Sequence, residues 1–289
     1  LMTTFEDKPE RHRIRSEIYA KNIIKQKTMP MPFVPKNRPK RLRIGYFSSD
    51  FRLHSVIHMI ANILEAHDRQ KFEIFAYSFG PNDGSDVRKR IINAVDVFHD
   101  VKEMADKDIA LLARENKIDI AIDLNGYTKY CRPGIFAYRS APIQIHFWGC
   151  GSSCGANFID YIISTDMAVP KEYNHHYCES IIRLPYWYQA RYENYYISDH
   201  LISRKDMGLP ENGFIFCSFN NNYKLSPKEF DIWMRLLNQV EHSVLWIYKT
   251  NKWVEKNLTK EAIKRGISKD RLVFADKVRH DVHLERLKL

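Results

Sequence analysis

The sequence predicts an α/β protein with two domains, each built on a parallel β-sheet. Between residues 42 and 289, short apolar runs alternate with segments whose apolar residues recur at helical spacing. The chain has 289 residues and is 44% hydrophobic, enough for two domains that each bury a core. The alternation stops near residue 190 and resumes near 212. We therefore predict a first domain over 42–190, a connector over 191–211 and a second domain over 212–289.

Residues 1–41 are predicted to be a separate basic segment. A charged helix over residues 1–28 is followed at 29–41 by "MPMPFVPKNRPKR", whose four prolines indicate an extended linker. The formal net charge is +10, but residues 1–43 alone hold twelve Lys or Arg against four Asp or Glu. Because most of the positive charge lies in this segment, the folded body is not predicted to bind nucleic acid.

The first domain is predicted to alternate strand and helix along its whole length. In "HSVIHMIANILEAH", residues 54–67, apolar side chains follow a helical stripe that includes Ile57, Ile60 and Leu64. Further helices are predicted at "DVRKRIINAV" and "DKDIALLARENK". The predicted strands are "RIGYFSS", "FEIFAYSF", "VDVFHDV", "IDIAIDL", "PIQIHFWG" and "FIDYIIS". This order predicts a parallel sheet with helices on both faces.

The second domain repeats the pattern over fewer elements. Strands are predicted at "GFIFCSF", "SVLWIYK" and "RLVFAD", and a last helix begins near His280. Ser226, Pro227 and Glu229 open the first helix in a capping-box pattern, and Gly266 ends the second. Three strands in 78 residues form half of a doubly wound domain. We therefore expect an incomplete domain with apolar sheet surface left uncovered.

Polar residues follow the first strand of the second domain, in "FNNNYK" at 219–224. Ligands of open α/β sheets bind beyond the carboxyl ends of strands. Asparagine amides can both donate to and accept from a base or ribose, Lys224 can bind a phosphate, and a helix N-terminus follows. The pattern favours an anionic nucleotide site, although neither Gly-x-Gly-x-x-Gly nor a Walker sequence is present. An ordinary polar loop remains the alternative.

Two strand ends of the first domain also carry candidate residues. His54 follows the first strand and is a candidate general base, with a histidine that packs beneath a loop as the alternative. His54 and His58 are spaced for a metal pair, but nothing in the sequence marks a third ligand, so no metal is predicted. "DLNGYT" at 123–128 is a third strand-end loop, although Asn-Gly is also a common turn.

Cysteine usage and hydropathy predict a cytoplasmic protein. The five cysteines, at 131, 150, 154, 178 and 217, form no Cys-x-x-Cys pair and lie far apart, which is typical of a reduced protein. Residues 1–20 are polar and charged, so no signal peptide is expected. No apolar run approaches the roughly 20 residues that a membrane helix needs.

Taken together, the loops resemble the catalytic region of the O-linked N-acetylglucosamine transferase family, which includes the SPINDLY-type proteins. The similarity runs with consistent spacing from about Arg41 to Leu289. It is carried by "RIGYFSSDFRLH", "DLNGYT", "APIQIHFWG", "GANFIDYIIS", "CSFNNNYKLSP", "SVLWI", "RLVF" and "HLER".

The resemblance implies a GT-B fold, in which two Rossmann-like domains face each other across a cleft, the second being incomplete here. It implies metal-independent, inverting transfer of N-acetylglucosamine from UDP-GlcNAc to Ser or Thr of an acceptor protein, with no cofactor. By position, His54 and Lys224 correspond to catalytic residues of the family. Donor contacts are implied for Asn220, Asn221, Lys224, Val278, His280 and His283, and acceptor or sugar contacts for Asn125, Gly126, Tyr127 and Thr128. Tetratricopeptide repeats upstream are a further implied feature.

The sequence also departs from the family pattern. "GCGSSCG" at 149–155 stands where Gly-Tyr-Pro-Gly-Thr-x-Gly is usual, and "RSAP" replaces "RPAP". The family segment whose threonines contact the donor phosphates would lie beyond Leu289, so these residues alone are expected to be inactive. The alternatives are a protein O-fucosyltransferase or N-glucosyltransferase of the same fold and a non-catalytic α/β binding module.

Overall fold

The computed structural model describes residues 6–24, 29–32, 34, 39–149, 151–186 and 196–289. Part of the predicted proline-rich linker, Cys150 and the start of the predicted connector lie outside these residues. The chain divides into two compact units, Lys8–Glu193 and Asn194–Leu289 together with Leu1–Asp7.

The first unit contains the predicted alternation and one additional strand. Its helices are α1 (Pro9–Ile24), α2 (Ser55–Ala66), α3 (Asp86–Asn93), α4 (Asp106–Glu115) and α5 (Gly134–Ala137). Its strands are β1 (Leu42–Ser48), β2 (Phe72–Ser78), β3 (Val97–Asp100), β4 (Ile120–Asp123), β5 (Ile143–His146), β6 (Tyr161–Thr165) and β7 (Ser180–Leu184). Strand β7, which the sequence patterns do not predict, lies at the edge of the sheet, and three of its five residues are exposed.

The strands of the first unit form one parallel sheet in the order β3-β2-β1-β4-β5-β6-β7. The order reverses between β1 and β4, which are adjacent although the chain visits β2 and β3 between them. Such a reversal leaves a crevice beyond the carboxyl ends of the two strands. The loops that begin at Ser49 and Leu124 lie at this edge.

Apolar clusters cover both faces of this sheet. On one face Tyr46, Ile60, Leu64 and Ile91 pack together, so α2 and α3 lie there. On the other face Phe47 packs with residues of α4 and α5, and Phe47 stacks on Tyr77 with ring centroids 4.4 Å apart. Because successive β1 residues point to opposite faces, each cluster receives alternate side chains. The predicted two-sided burial is observed.

Helix α1 packs onto the first unit. Its Ala20 is buried in the core, and the Tyr19 ring meets the Tyr127 ring edge-on with centroids 4.8 Å apart. Gly155 lies so close to the helix that a Cβ there would come within 2.4 Å of the Glu17 backbone nitrogen. The sequence predicts a separate segment over residues 1–41, whereas these contacts join α1 to the body that follows.

The second unit contains three strands and three helices in the described range 196–289. These are β8 (Ile215–Ser218), α6 (Pro227–Gln239), β9 (Val244–Tyr248), α7 (Lys252–Lys264), β10 (Leu272–Ala275) and α8 (His280–Arg286). The strands are parallel in the order β10-β9-β8. Ser226 N–H donates to the Glu229 carboxylate (3.1 Å) at the start of α6, and Gly266 follows α7 with φ +79°, as the sequence patterns predict.

The second sheet buries its central strand on both faces. Phe230, Met234 and Leu237 of α6 pack on one face, and Leu209 and Trp246 form the cluster on the other. The apolar surface expected to be uncovered is seen on the edge strand β8, where Phe216 is partly exposed and Cys217 exposed. Among the described residues, no helix is both long and apolar enough to cross a membrane.

Candidate active site

The loops after β1 and β4 are locked together by the side chain of Asn125, which is 1% exposed. Its Oδ1 accepts from the Ser49 N–H (2.9 Å), and its Nδ2 donates to Ser49 Oγ (2.8 Å) and Asp50 Oδ2 (3.1 Å). Because a buried amide needs its hydrogen bonds satisfied within the protein, Asn125 fixes the position of the β1 loop. The predicted contact of Asn125 with the acceptor or sugar stays a prediction, and the structure adds this positioning role.

The rest of "DLNGYT" is also held in place. The Asp123 carboxylate accepts from the backbone N–H of Asn125 (2.9 Å) and of Gly126 (3.0 Å). Thr128 Oγ1 donates to the Asn125 carbonyl (2.9 Å). Tyr127 Oη donates to the Cys154 carbonyl (2.6 Å), and burial raises the pKa of its phenol. The loop therefore presents a fixed backbone at the crevice, and ligand contacts of Gly126, Tyr127 and Thr128 stay predictions.

Gly149 brings the segment after β5 against the same loop. A Cβ at Gly149 would lie 2.0 Å from the Asn125 carbonyl oxygen, which is backbone and cannot swing aside. The segment "GCGSSCG", which departs from the family pattern, thus retains glycine at the position that lies against the Asn125 backbone. Two residues of that run are held by Glu179. Its buried carboxylate accepts from Ser153 Oγ (2.7 Å) and from the Cys154 N–H (2.7 Å).

We expect Gly149→Ala to lower the free energy of unfolding by about 1–3 kcal/mol or more, because the new methyl group overlaps backbone. Urea denaturation measures this loss. Gly151→Ala is the matched control, since its Cβ would meet no atom within 4 Å, and we expect a change within about 0.5 kcal/mol. Equal stabilities of the two variants would show that the close approach at Gly149 does not exist.

His54 is the N-cap residue of α2, and its side chain is 36% exposed. Its Nδ1 lies 3.4 Å from the Val56 backbone nitrogen, which donates to it, and 3.7 Å from Asp50 Oδ2. Asp50 is 5% exposed, and Arg52 (3.2 Å) and Asn125 also donate to its carboxylate. His54 is therefore held in place through Nδ1, beside the Asp50 carboxylate. Its Nε2 is the ring nitrogen available to a substrate.

In the second unit, Lys224 lies in the loop between β8 and α6, as the sequence predicts. Residues 222–224 form a 3₁₀ turn closed by the Lys224 N–H, which donates to the Asn221 carbonyl (2.9 Å). Asn220, Asn221 and Lys224 are exposed and line a cavity of about 220 Å³. Within the described part of the chain, no carboxylate forms an ion pair with the Lys224 ammonium. The cavity thus combines an available cation with the N-terminus of α6.

Asn222 differs from its two neighbours. Its Nδ2 donates to the Tyr248 carbonyl (2.9 Å), and its Oδ1 accepts from the hydroxyl of Thr250 (2.6 Å). These bonds join the loop after β8 to the loop after β9. Of the three consecutive asparagines, Asn222 holds the loop, and Asn220 and Asn221 face solvent.

The segment after β10 reaches the same edge of the second sheet. The His283 ring meets the Phe219 ring edge-on with centroids 5.1 Å apart. His283 Nδ1 accepts from Arg286 Nε (3.0 Å), which leaves Nε2 to carry the proton of the neutral ring. Burial, together with the nearby Arg286 and His280, lowers the pKa of His283, so the ring is kept neutral and can donate through Nε2. Val278 is partly buried and His280 is the first residue of α8.

Two functional candidates escaped the sequence analysis. Asp50 was visible only as part of "SSDF", and nothing local indicated that it lies beside His54 and Asn125. Arg286 is 3% exposed, with its guanidinium 4.6 Å from the Phe219 ring centroid and donating to the Asp276 carbonyl (3.0 Å). Arg286 therefore positions His283. A buried cation cannot be recognised from the four letters "HLER".

Comparison with known proteins identifies the relatives of this chain. The model of glycosyl transferase family 41 matches residues 16–202 and 189–289. SEC of Arabidopsis thaliana, named a probable UDP-N-acetylglucosamine–peptide N-acetylglucosaminyltransferase, is 36% identical over 252 residues, covering 86% of this chain and 26% of that protein. SPINDLY of Petunia hybrida is 32% identical over 214 residues, covering 73% of this chain and 22% of that protein. The chain thus spans about a quarter of the length of these curated relatives.

Solved structures show the same fold. An O-GlcNAc transferase mutant of Thermobaculum terrenum superposes with a TM-score of 0.86 at 24% identity, covering 96% of this chain and 52% of that one. The galactosyltransferase WaaB superposes with a TM-score of 0.50 at 14% identity, covering 86% of this chain and 71% of WaaB. The predicted α/β fold of GT-B type is confirmed, and so is the resemblance to the O-GlcNAc transferase and SPINDLY proteins. The chain therefore belongs to glycosyl transferase family 41.

Proposed function

We propose that the protein containing this chain transfers N-acetylglucosamine from UDP-GlcNAc to Ser or Thr of an acceptor protein, with inversion and without a metal. The observation that carries the proposal is Lys224, an exposed lysine in a strand-end cavity of a family 41 chain. The resemblance described above implies that this lysine contacts the donor diphosphate. The names of SEC and SPINDLY support the same donor and reaction.

The second unit has to stabilise the negative charge of the leaving diphosphate. When the acceptor oxygen bonds to the anomeric carbon, the bond to the diphosphate oxygen breaks and negative charge grows on that oxygen. The Lys224 ammonium and the backbone N–H groups at the start of α6 can stabilise this charge. His283 can add a hydrogen bond from Nε2, since Arg286 occupies its Nδ1.

The acceptor hydroxyl requires a base, and His54 fits this role. In one neutral tautomer Nδ1 accepts from Val56, so Nε2 holds the proton and cannot take another. In the other tautomer the proton is on Nδ1 and faces Asp50, which leaves the Nε2 lone pair available. Asp50 favours the second tautomer by attraction across 3.7 Å and then stabilises the imidazolium that forms. Asp50 is thus a positioning residue for His54.

A donor screen on the protein at its full natural length tests the proposal. We expect UDP-GlcNAc to raise the unfolding temperature and to label a Ser/Thr peptide, and we expect no labelling from GDP-fucose or UDP-glucose at equal concentration. Labelling from GDP-fucose would favour the O-fucosyltransferase alternative. Labelling of asparagine from UDP-glucose would favour the N-glucosyltransferase alternative. No labelling with any donor would favour a binding module.

The remaining features of the proposal concern partners and location. An acceptor protein and a nucleotide-sugar donor are the partners of such a reaction. Tetratricopeptide repeats upstream and a cytoplasmic location are supported by the family resemblance and by the cysteine usage, respectively. No cofactor is needed, because the protein groups supply both the base and the charge stabilisation.

A further inference from the structure

A cluster of two histidines and a glutamate joins α1 to the first unit, on elements other than the strand-end loops. Glu10 lies in the first turn of α1, and His175 and His176 end a 3₁₀ turn over Lys171–His176. One ligand atom from each residue lies within 4.8 Å of the other two. We propose that these three side chains bind one divalent transition-metal ion of the zinc type and that the ion fastens α1 to the body of the unit.

The spacing suits a shared ion better than direct contact. His176 Nε2 and Glu10 Oε1 are 3.6 Å apart, longer than a normal hydrogen bond. Two ligand atoms that each lie about 2.1 Å from a tetrahedral zinc ion are about 3.4 Å from each other. The Glu10–His176 separation is close to that value, and the other two do not exceed 4.8 Å, so rotations of the exposed Glu10 and His175 side chains bring the three ligands to an ion.

The surroundings also favour a metal over a simple ion pair. The two imidazole rings have centroids only 3.9 Å apart, so two protonated rings would repel each other. A metal ion instead requires both rings neutral and adds the positive charge itself. His176 is 6% exposed and its ring stacks on Tyr173, which limits its motion. Two imidazoles and one carboxylate form a ligand set that zinc and its neighbours prefer.

Arg13, a cation next to the histidine turn, does not prevent this binding. Arg13 donates to the backbone carbonyl of His175 and, at 3.5 Å, to that of Tyr177. Its guanidinium charge is balanced by Glu17 at 2.8 Å on the same helix. Arg13 thus holds the histidine turn against α1 and leaves the Glu10 carboxylate for the ion.

The ligand set also predicts what the ion does. Its three protein ligands come from two elements that are about 165 residues apart in sequence, so an ion bound there stabilises the docked position of α1. Because no ligand belongs to the loops at 49–54 or 123–128, the ion is not assigned a part in sugar transfer.

Cobalt titration of the full-length protein, previously stripped with EDTA, tests the proposal. We expect one Co²⁺ per chain at micromolar affinity, visible bands typical of nitrogen and oxygen ligands, and displacement by Zn²⁺. Saturating Zn²⁺ should raise the unfolding temperature by about 5 °C. Glu10→Gln and His175→Ala, both at exposed positions, should each weaken binding at least tenfold.

Glu172→Gln is the matched control, because this exposed glutamate lies in the same 3₁₀ turn but outside the ligand set. We expect its affinity to equal that of the unchanged protein. The proposal is overturned by a thiolate-to-cobalt band, which would place the ion on cysteine, by equal affinity in all variants, or by no binding at micromolar Co²⁺. A circular-dichroism spectrum of each variant confirms that it is folded.

Discussion

Lys224→Met is expected to lower the rate of sugar transfer by about 100-fold to 1,000-fold while the fold stays intact. The ammonium is the available cation of the cavity beyond β8, and methionine keeps an unbranched side chain of similar length but removes its charge. Loss of one group that stabilises charge developing in the transition state has effects of this size. The measurement is transfer of labelled GlcNAc to a peptide by the full-length protein, with kcat and KM determined separately.

The variant Lys228→Met controls for the loss of a lysine in the same region. Lys228 is exposed in the first turn of α6, and it does not line the cavity. Its activity should stay within twofold of the unchanged protein. If Lys224→Met retained more than a tenth of the activity while unfolding normally, the assignment of Lys224 to the leaving group would fail.

His54→Asn is expected to lower kcat by about 100-fold or more, since general-base catalysis contributes this much and asparagine cannot accept the proton. Asp50→Asn should lower kcat by a smaller factor of about tenfold, with KM for the donor little changed, because Asp50 acts through the His54 tautomer. The double variant should be no slower than His54→Asn, since removal of the base leaves Asp50 nothing to position. Steady-state transfer assays on the three variants measure these effects.

His58→Asn is the matched histidine control, one helical turn further along α2, and we expect near-normal activity. Additive losses in the double variant would mean that Asp50 acts independently of His54. A normal rate for His54→Asn would mean that a group other than His54 accepts the proton of the acceptor hydroxyl. Unfolding curves exclude an indirect effect, because Asp50 also accepts from Asn125 and its loss could loosen the two loops.

Local sequence patterns determined most of the secondary structure. Helical spacing of apolar residues, the Ser226–Glu229 pair and Gly266 fixed where helices begin and end, since capping and periodicity depend on residues within a few positions of each other. The same locality explains why the position of Lys224, directly after a strand, could be recognised from the chain. Strand β7 was not predicted because three of its five residues are exposed, so its apolar pattern is weak.

The tertiary structure decided which strand ends meet. Periodicity specifies strands but not their order, so the sequence could not show that β1 and β4 are neighbours at the reversal point of the sheet. That adjacency places Asp50 between His54 and Asn125, although Asn125 is more than 70 residues further along the chain. Likewise, only packing turned Asn222 inward and buried Arg286 against Phe219. The sequence by itself determined most of the elements, the family and the candidate residues. Their hydrogen-bond partners depended on long-range crossovers that no local pattern encodes.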